Sequence, residues 1–86
     1  MNQREVEDRV EAYVRSAFNV SPSDPGFDRT VDLFERGYVD SVGFVELLEF
    51  IREDFGVDVP EEILVSDDFM GVEGIARAVC RLAGSA

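Results

Sequence analysis

Apolar residues recur along this chain at helical spacing, strongly three times and once briefly. Val6, Val10, Tyr13, Val14 and Ala17 form one stripe, with Phe18 beside it, and predict a helix from about Gln3 to Phe18. Arg4, Glu7, Asp8, Glu11 and Arg15 cover its other faces. The clearest pattern runs from Ser41 to Phe55, where Phe44, Leu47, Leu48, Ile51 and Phe55 fall at i, i+3, i+4, i+7 and i+11. Gly56 ends that helix, because glycine tolerates the left-handed conformation of a helix C-terminus. Val57-Asp58-Val59-Pro60 reads as a short extended link, since a residue before proline disfavours helix. Pro60-Glu61-Glu62-Ile63-Leu64 reads as one helical turn, opened by proline and acids. A last helix spans about Gly71 to Leu82, with Val72, Ile75, Ala76, Val79 and Leu82 facing inward. The tail Gly84-Ser85-Ala86 is expected to fray. No strand-like alternation and no internal repeat interrupts this series.

Between the first two helices, Asn19 to Asp32 reads as a long loop. Ser21-Pro22-Ser23-Asp24-Pro25-Gly26 is dense in turn-forming residues and its prolines stop a helix. A loop of that length in a small domain must be pinned to the core, and Phe27, Val31, Leu33 and Phe34 are the candidates. The expected fold is all-α: a small four-helix bundle, three longer helices and one short one, with a long first loop. The expected organisation is a single domain over residues 1–86, with a modest core.

Composition narrows what such a bundle can do. The chain carries 19 acidic residues against 8 arginines and no lysine, for a formal charge of −11. That field repels nucleic acid and anionic membranes and attracts basic protein surfaces. The absence of histidine removes Ser-His-Asp triads, Cys-His pairs and histidine-containing zinc sites. The absence of lysine removes Schiff-base chemistry. Catalytic residues and metal ligands are therefore expected to be none; Asp67-Asp68 lacks the ligand spacing of an EF-hand loop and reads as a cap region. Cys80, alone, cannot form an internal disulfide, which fits a reducing cytoplasm. At helical spacing from Ala76 and Val79, it is expected at the edge of the core. No membrane span or signal peptide is expected.

One stretch is left with chemistry to offer. Asp40-Ser41 lies where a glycine-bearing loop, Leu33-Phe34-Glu35-Arg36-Gly37-Tyr38, gives way to the strongest helix. Either residue could act simply as the helix N-cap, worth about 1 kcal/mol. The same geometry would place a phosphate ester on Ser41 at the positive end of the helix dipole. Asp40 is a candidate to hold magnesium or a basic group of a modifying enzyme. Away from Leu47 and Ile51, the helix carries Val42, Val45, Glu46, Glu49 and Glu53, an apolar pair among three carboxylates that suits docking of a basic partner.

These residues also carry a resemblance. Asp32-Leu33-Phe34, Gly37-Tyr38-Val39-Asp40-Ser41-Val42, Val45-Glu46-Leu47 and Phe55-Gly56-Val57-Asp58-Val59-Pro60 together resemble the acyl carrier protein family, over the middle third to half of the chain. The resemblance implies 4′-phosphopantetheine, taken from coenzyme A, on Ser41, with Asp40 as the acidic residue before it. Val42, Val45, Glu46, Glu49 and Glu53 then fall on the helix that family members present to partners. Those partners would be a phosphopantetheinyl transferase, a cargo-loading ligase or acyltransferase, and a downstream synthase or transferase. The resemblance leans toward a small cargo. Gly43, where many members carry an acid, and Arg52 within the acidic helix are closer to D-alanyl carrier proteins and free-standing carriers of secondary metabolism than to housekeeping fatty-acid carriers. Bulky Phe44 and Phe50 also argue against a deep tunnel for long chains. The implied function is a monomeric cytoplasmic carrier of an acyl or aminoacyl thioester, in polyketide or nonribosomal-type biosynthesis. D-alanyl transfer to cell-wall polymers is an alternative. A different class, an unmodified acidic helical adaptor, explains charge and fold equally well.

Overall fold

A computed structural model of the chain describes residues 2–84. Among these residues are four α-helices, α1 (Gln3–Ala17), α2 (Ser41–Phe55), α3 (Glu61–Leu64) and α4 (Val72–Gly84), with a 3-10 turn at Asp67–Met70 before α4. No strand occurs among them, and no helix is long and apolar enough to cross a membrane. The expected order of three longer helices and one short one is present; Ser85 and Ala86 of the expected frayed tail lie outside the described residues, and Gly84 belongs to α4.

The Asn2 side chain caps α1 by accepting the Glu5 N–H at 2.9 Å. Val6, Val10 and Val14 then form a buried stripe that packs chiefly on Val72, Ile75, Ala76 and Val79 of α4. The helix stops one residue short of the expected end. Asn19 takes a left-handed conformation, φ 54°, and the Val20 N–H reaches back to the Arg15 carbonyl at 3.0 Å. That turn leaves Ala17 exposed, contrary to its place in the apolar stripe, and buries Val20 instead. Leu82 is likewise only half-buried.

The long connection is built on three aspartates. Asp24 Oδ1 accepts the Gly26 N–H, Asp28 Oδ1 accepts those of Thr30 and Val31, and Asp32 Oδ1 accepts those of Phe34 and Glu35. Two of the expected pins, Phe27 and Leu33, are buried; Val31 and Phe34 are half-buried. Arg29 ties the connection to both long flanks. Its guanidinium meets Glu11 at 2.6 Å, Asp8 at 2.6 Å and Glu7 at 3.1 Å on α1. Its carbonyl accepts the Glu73 N–H of α4 at 2.8 Å. The loop backbone passes so close to Gly71 that a side chain there would stand 2.8 Å from the Val31 carbonyl oxygen.

Phe69, in the turn before α4, is fully buried. Burying such a ring stabilises the fold by about 2–3 kcal/mol. Its ring meets Phe44 edge-on at 6.0 Å, and Phe44 meets Phe34 at 5.0 Å. Asp67 thus opens a turn that inserts Phe69, which the apolar periodicity of the flanking helices does not reveal.

Candidate functional site

The approach to Ser41 is fixed from beneath. Leu33 and Val39 are buried, and the Leu33 carbonyl accepts the N–H groups of Tyr38 and Val39 at 2.9 and 3.1 Å. The Leu33 N–H donates to the Met70 carbonyl at 2.8 Å, which joins this turn to the floor of the bundle. Gly37 bends the chain at φ 81°, a conformation side-chain-bearing residues rarely adopt. The Tyr38 hydroxyl donates to Asp24 Oδ2 at 2.9 Å, so the turn is also held by the long connection.

Asp40 is the N-cap of α2. Its Oδ1 accepts the Gly43 N–H at 2.8 Å and its carbonyl accepts that of Phe44. The capping role therefore falls to Asp40, and Ser41 is the first helical residue. Ser41 is exposed, and its hydroxyl has no hydrogen-bond partner among the described residues. The N–H groups of a helix's first turn lack intrahelical acceptors, and the dipole there is positive. An exposed hydroxyl in that position fits a phosphate ester without displacing any internal bond.

The outward face of α2 follows directly. Val42 is 69% exposed and Val45 56% exposed, large values for such side chains. Glu46, Glu49 and Glu53 are exposed and make no ion pair among the described residues. Arg52, on the same helix, turns instead to Asp58 at 3.4 Å. The three glutamates border a shallow groove of about 210 Å³ floored by Tyr13 and Phe50. Those two rings stack in parallel at 4.2 Å. Burial raises the Tyr13 phenol above its ordinary pKa, and the charges of Glu46, Glu49 and Glu53 raise it further.

Phe44 and Phe50, grouped in the sequence as obstacles to a deep tunnel, sit on different sides. Phe44, half-buried, packs between Phe34 and Phe69, whereas Phe50, also half-buried, packs on Tyr13 of α1. Cys80 is half-buried and lines a cavity of about 240 Å³ with Val6, Phe55 and Val79, at the end of α2 remote from Ser41. Among the described residues, no group of carboxylates and thiol could hold a metal ion.

Two residues that shape this site from behind are not legible as site residues in the sequence. Phe18, expected beside the stripe of α1, lays its ring on Gly43 in the first turn of α2. Tyr13, a member of the apolar stripe, forms the floor beneath the three glutamates. Both come from the α1 side of the bundle, and no local pattern in α2 points to them.

The chain belongs to the family described as phosphopantetheine attachment site, which matches residues 8–79 and so takes in most of the bundle. Domains of this family carry covalent 4′-phosphopantetheine and work with a phosphopantetheinyl transferase and partner enzymes. No curated protein matches the chain significantly.

Proposed function

We propose that Ser41 accepts the phosphopantetheine arm and that the protein carries an acyl or aminoacyl group for other enzymes. One observation carries the assignment: Ser41 is exposed at the start of α2 while Asp40 already supplies the cap. In the transfer, Ser41 Oγ bonds to the β-phosphorus of coenzyme A. The P–O bond to adenosine 3′,5′-diphosphate breaks, and that group leaves with the electron pair. The hydroxyl proton passes to a base of the transferase, since Ser41 has no internal partner to take it. Asp40, exposed beside it, is placed to meet the magnesium ion or a basic group of that enzyme. When bound, the arm supplies a terminal thiol for thioester cargo.

Val42, Val45, Glu46, Glu49 and Glu53 form the docking face for the transferase, the cargo-loading ligase or acyltransferase, and the downstream synthase or transferase. Charge-steered docking is fast and releases readily, as passing on cargo requires. We read the protein itself as non-catalytic, a single-domain monomer, and cytoplasmic in keeping with its unpaired thiol. The wedge of Phe44 between Phe34 and Phe69 favours a short cargo, of the polyketide or nonribosomal type or D-alanine. Gly43 does not choose between these, because it has a steric reason of its own.

Intact mass after incubation with coenzyme A, magnesium and a broad-specificity phosphopantetheinyl transferase tests the assignment. The wild-type chain is expected to gain one phosphopantetheinyl group and Ser41→Ala none. No gain in wild type, or an equal gain in Ser41→Ala, would overturn it.

A further inference from the structure

Gly43 stands two residues beyond Ser41 and donates its N–H to Asp40. A methyl group at residue 43 would lie 2.7 Å from Phe18 Cε1 and 3.2 Å from Phe18 Cζ. The first of these is closer than carbon atoms tolerate, so something would have to move. It would also lie 3.3 Å from Asp40 Oδ1, the capping oxygen itself. Glycine is locally unfavourable in a helix, so this position gives up helical propensity to admit the Phe18 ring.

The ring is half-buried, and on its inner side it belongs to an aromatic row. It meets Tyr13 in a T-shaped contact at 6.0 Å with the planes 89° apart, and Tyr13 is stacked on Phe50. Phe50 in turn meets Phe55 edge-on at 5.8 Å. A row of rings therefore runs between α1 and α2, and its first member bears on the turn that presents Ser41. The approach to that turn is held by the buried Val39. The first turn of α2 is thus gripped twice, by a core side chain before the cap and by an aromatic ring after it.

We propose that Phe18 and Gly43 are a matched pair that fixes the first turn of α2, making Phe18 a positioning residue for modification of Ser41. The proposal rests on the reading of Ser41 as the acceptor. It adds that the α1 end of the bundle, which contributes no group to the reaction, governs how the acceptor hydroxyl is held. A methyl group introduced by Gly43→Ala would push against the ring, strain the Asp40–Gly43 bond and tilt Ser41, while leaving Val45, Glu46, Glu49 and Glu53 on their outward face. The defect should then appear in the chemical step of loading and not in docking.

The test is steady-state loading by the same transferase, with the carrier varied as substrate, for wild type, Gly43→Ala, Phe18→Leu and the double variant. Circular dichroism establishes that each is folded. Gly43→Ala is expected to lower kcat about tenfold, the scale expected of a sub-ångström misplacement, with KM changed less than about twofold. Phe18→Leu removes ring atoms that oppose the methyl, and the double variant is expected to recover to within about threefold of wild type. Should Gly43→Ala fail to fold, recovery of folding and loading in the double variant supports the pair, and failure of both overturns it. Wild-type kinetics in Gly43→Ala overturns the proposal, as does a double variant that folds yet stays as slow as Gly43→Ala. Absence of loading in wild type instead overturns the assignment of Ser41, so the two failures are distinct.

Discussion

Two groups of acidic residues in this chain differ in what they touch. In α1 and the first connection most are occupied. Glu7, Asp8 and Glu11 surround Arg29, and Asp24, Asp28 and Asp32 accept backbone N–H groups. On α2, Glu46, Glu49 and Glu53 bond to nothing among the described residues and overlie two aromatic rings. Charge in the first region holds the chain together; charge in the second makes no bond within the domain, and on the proposed reading it serves docking. The net charge of −11 says nothing about this division, since it weights every carboxylate alike.

The largest expected effect breaks the second population. Replacing Glu46, Glu49 and Glu53 together by arginine should lower kcat/KM for loading about a hundredfold at low ionic strength. The gap should narrow as salt screens the charges. Thermal unfolding should stay close to that of wild type, and loading that survives the triple change would remove this face from docking.

Breaking the first population should do the reverse. Arg29→Ala leaves three partly exposed carboxylates without their common cation and the loop without its anchor to α1. About 2 kcal/mol is expected, after allowance for the exposure of Arg29. That lowers the unfolding midpoint of a chain this size by roughly 10 °C. Loading rates measured below the midpoint should be unchanged; a loss of loading with no loss of stability would show that Arg29 belongs to the site.

The smallest effect concerns pH and sharpens the same comparison. The Gln3 amide, and then Arg29, hold Glu7 below its ordinary pKa; Arg15, and then Arg29, do so for Glu11. Carboxyls depressed in the folded state stabilise it above the ordinary value of 4.5. That stabilisation is lost as pH falls through their folded-state values. Thermal midpoints should therefore fall below about pH 4.5, less steeply in Arg29→Ala than in wild type. The slope should not vanish, because Gln3 and Arg15 remain. Identical slopes in the two proteins would mean that Arg29 contributes nothing to the depression.

What the sequence disclosed follows from how local each cause is. The bounds of α2 are readable because Asp40, the apolar repeat and Gly56 mark its start, face and end within or beside its own residues. The exposure of Ser41, Val42 and Val45 follows from the same periodicity. Arg29 is different: its partners stand 18 to 22 residues away, and nothing near it distinguishes a clasp from a surface arginine. Phe69 lies outside any helical repeat, so its burial depends on the placement of Phe44 and α4. Gly43 shows the hazard of a motif considered alone. By itself it resembles a mark of cargo class, and the ring of Phe18 supplies a nearer cause.

The cavity beside Cys80 has a further meaning for how the domain can be tethered. It gathers Val6 near the start of α1, Asp54 and Phe55 at the close of α2, and Ala83 and Gly84 near the end of α4. The beginning of the first helix and the end of the last thus meet at the pole opposite Ser41. A 15-residue helix lies between that pole and the serine, a span of about 22 Å. A linker joined at either end would leave from behind, and its swing would carry Ser41 outward like the tip of a lever.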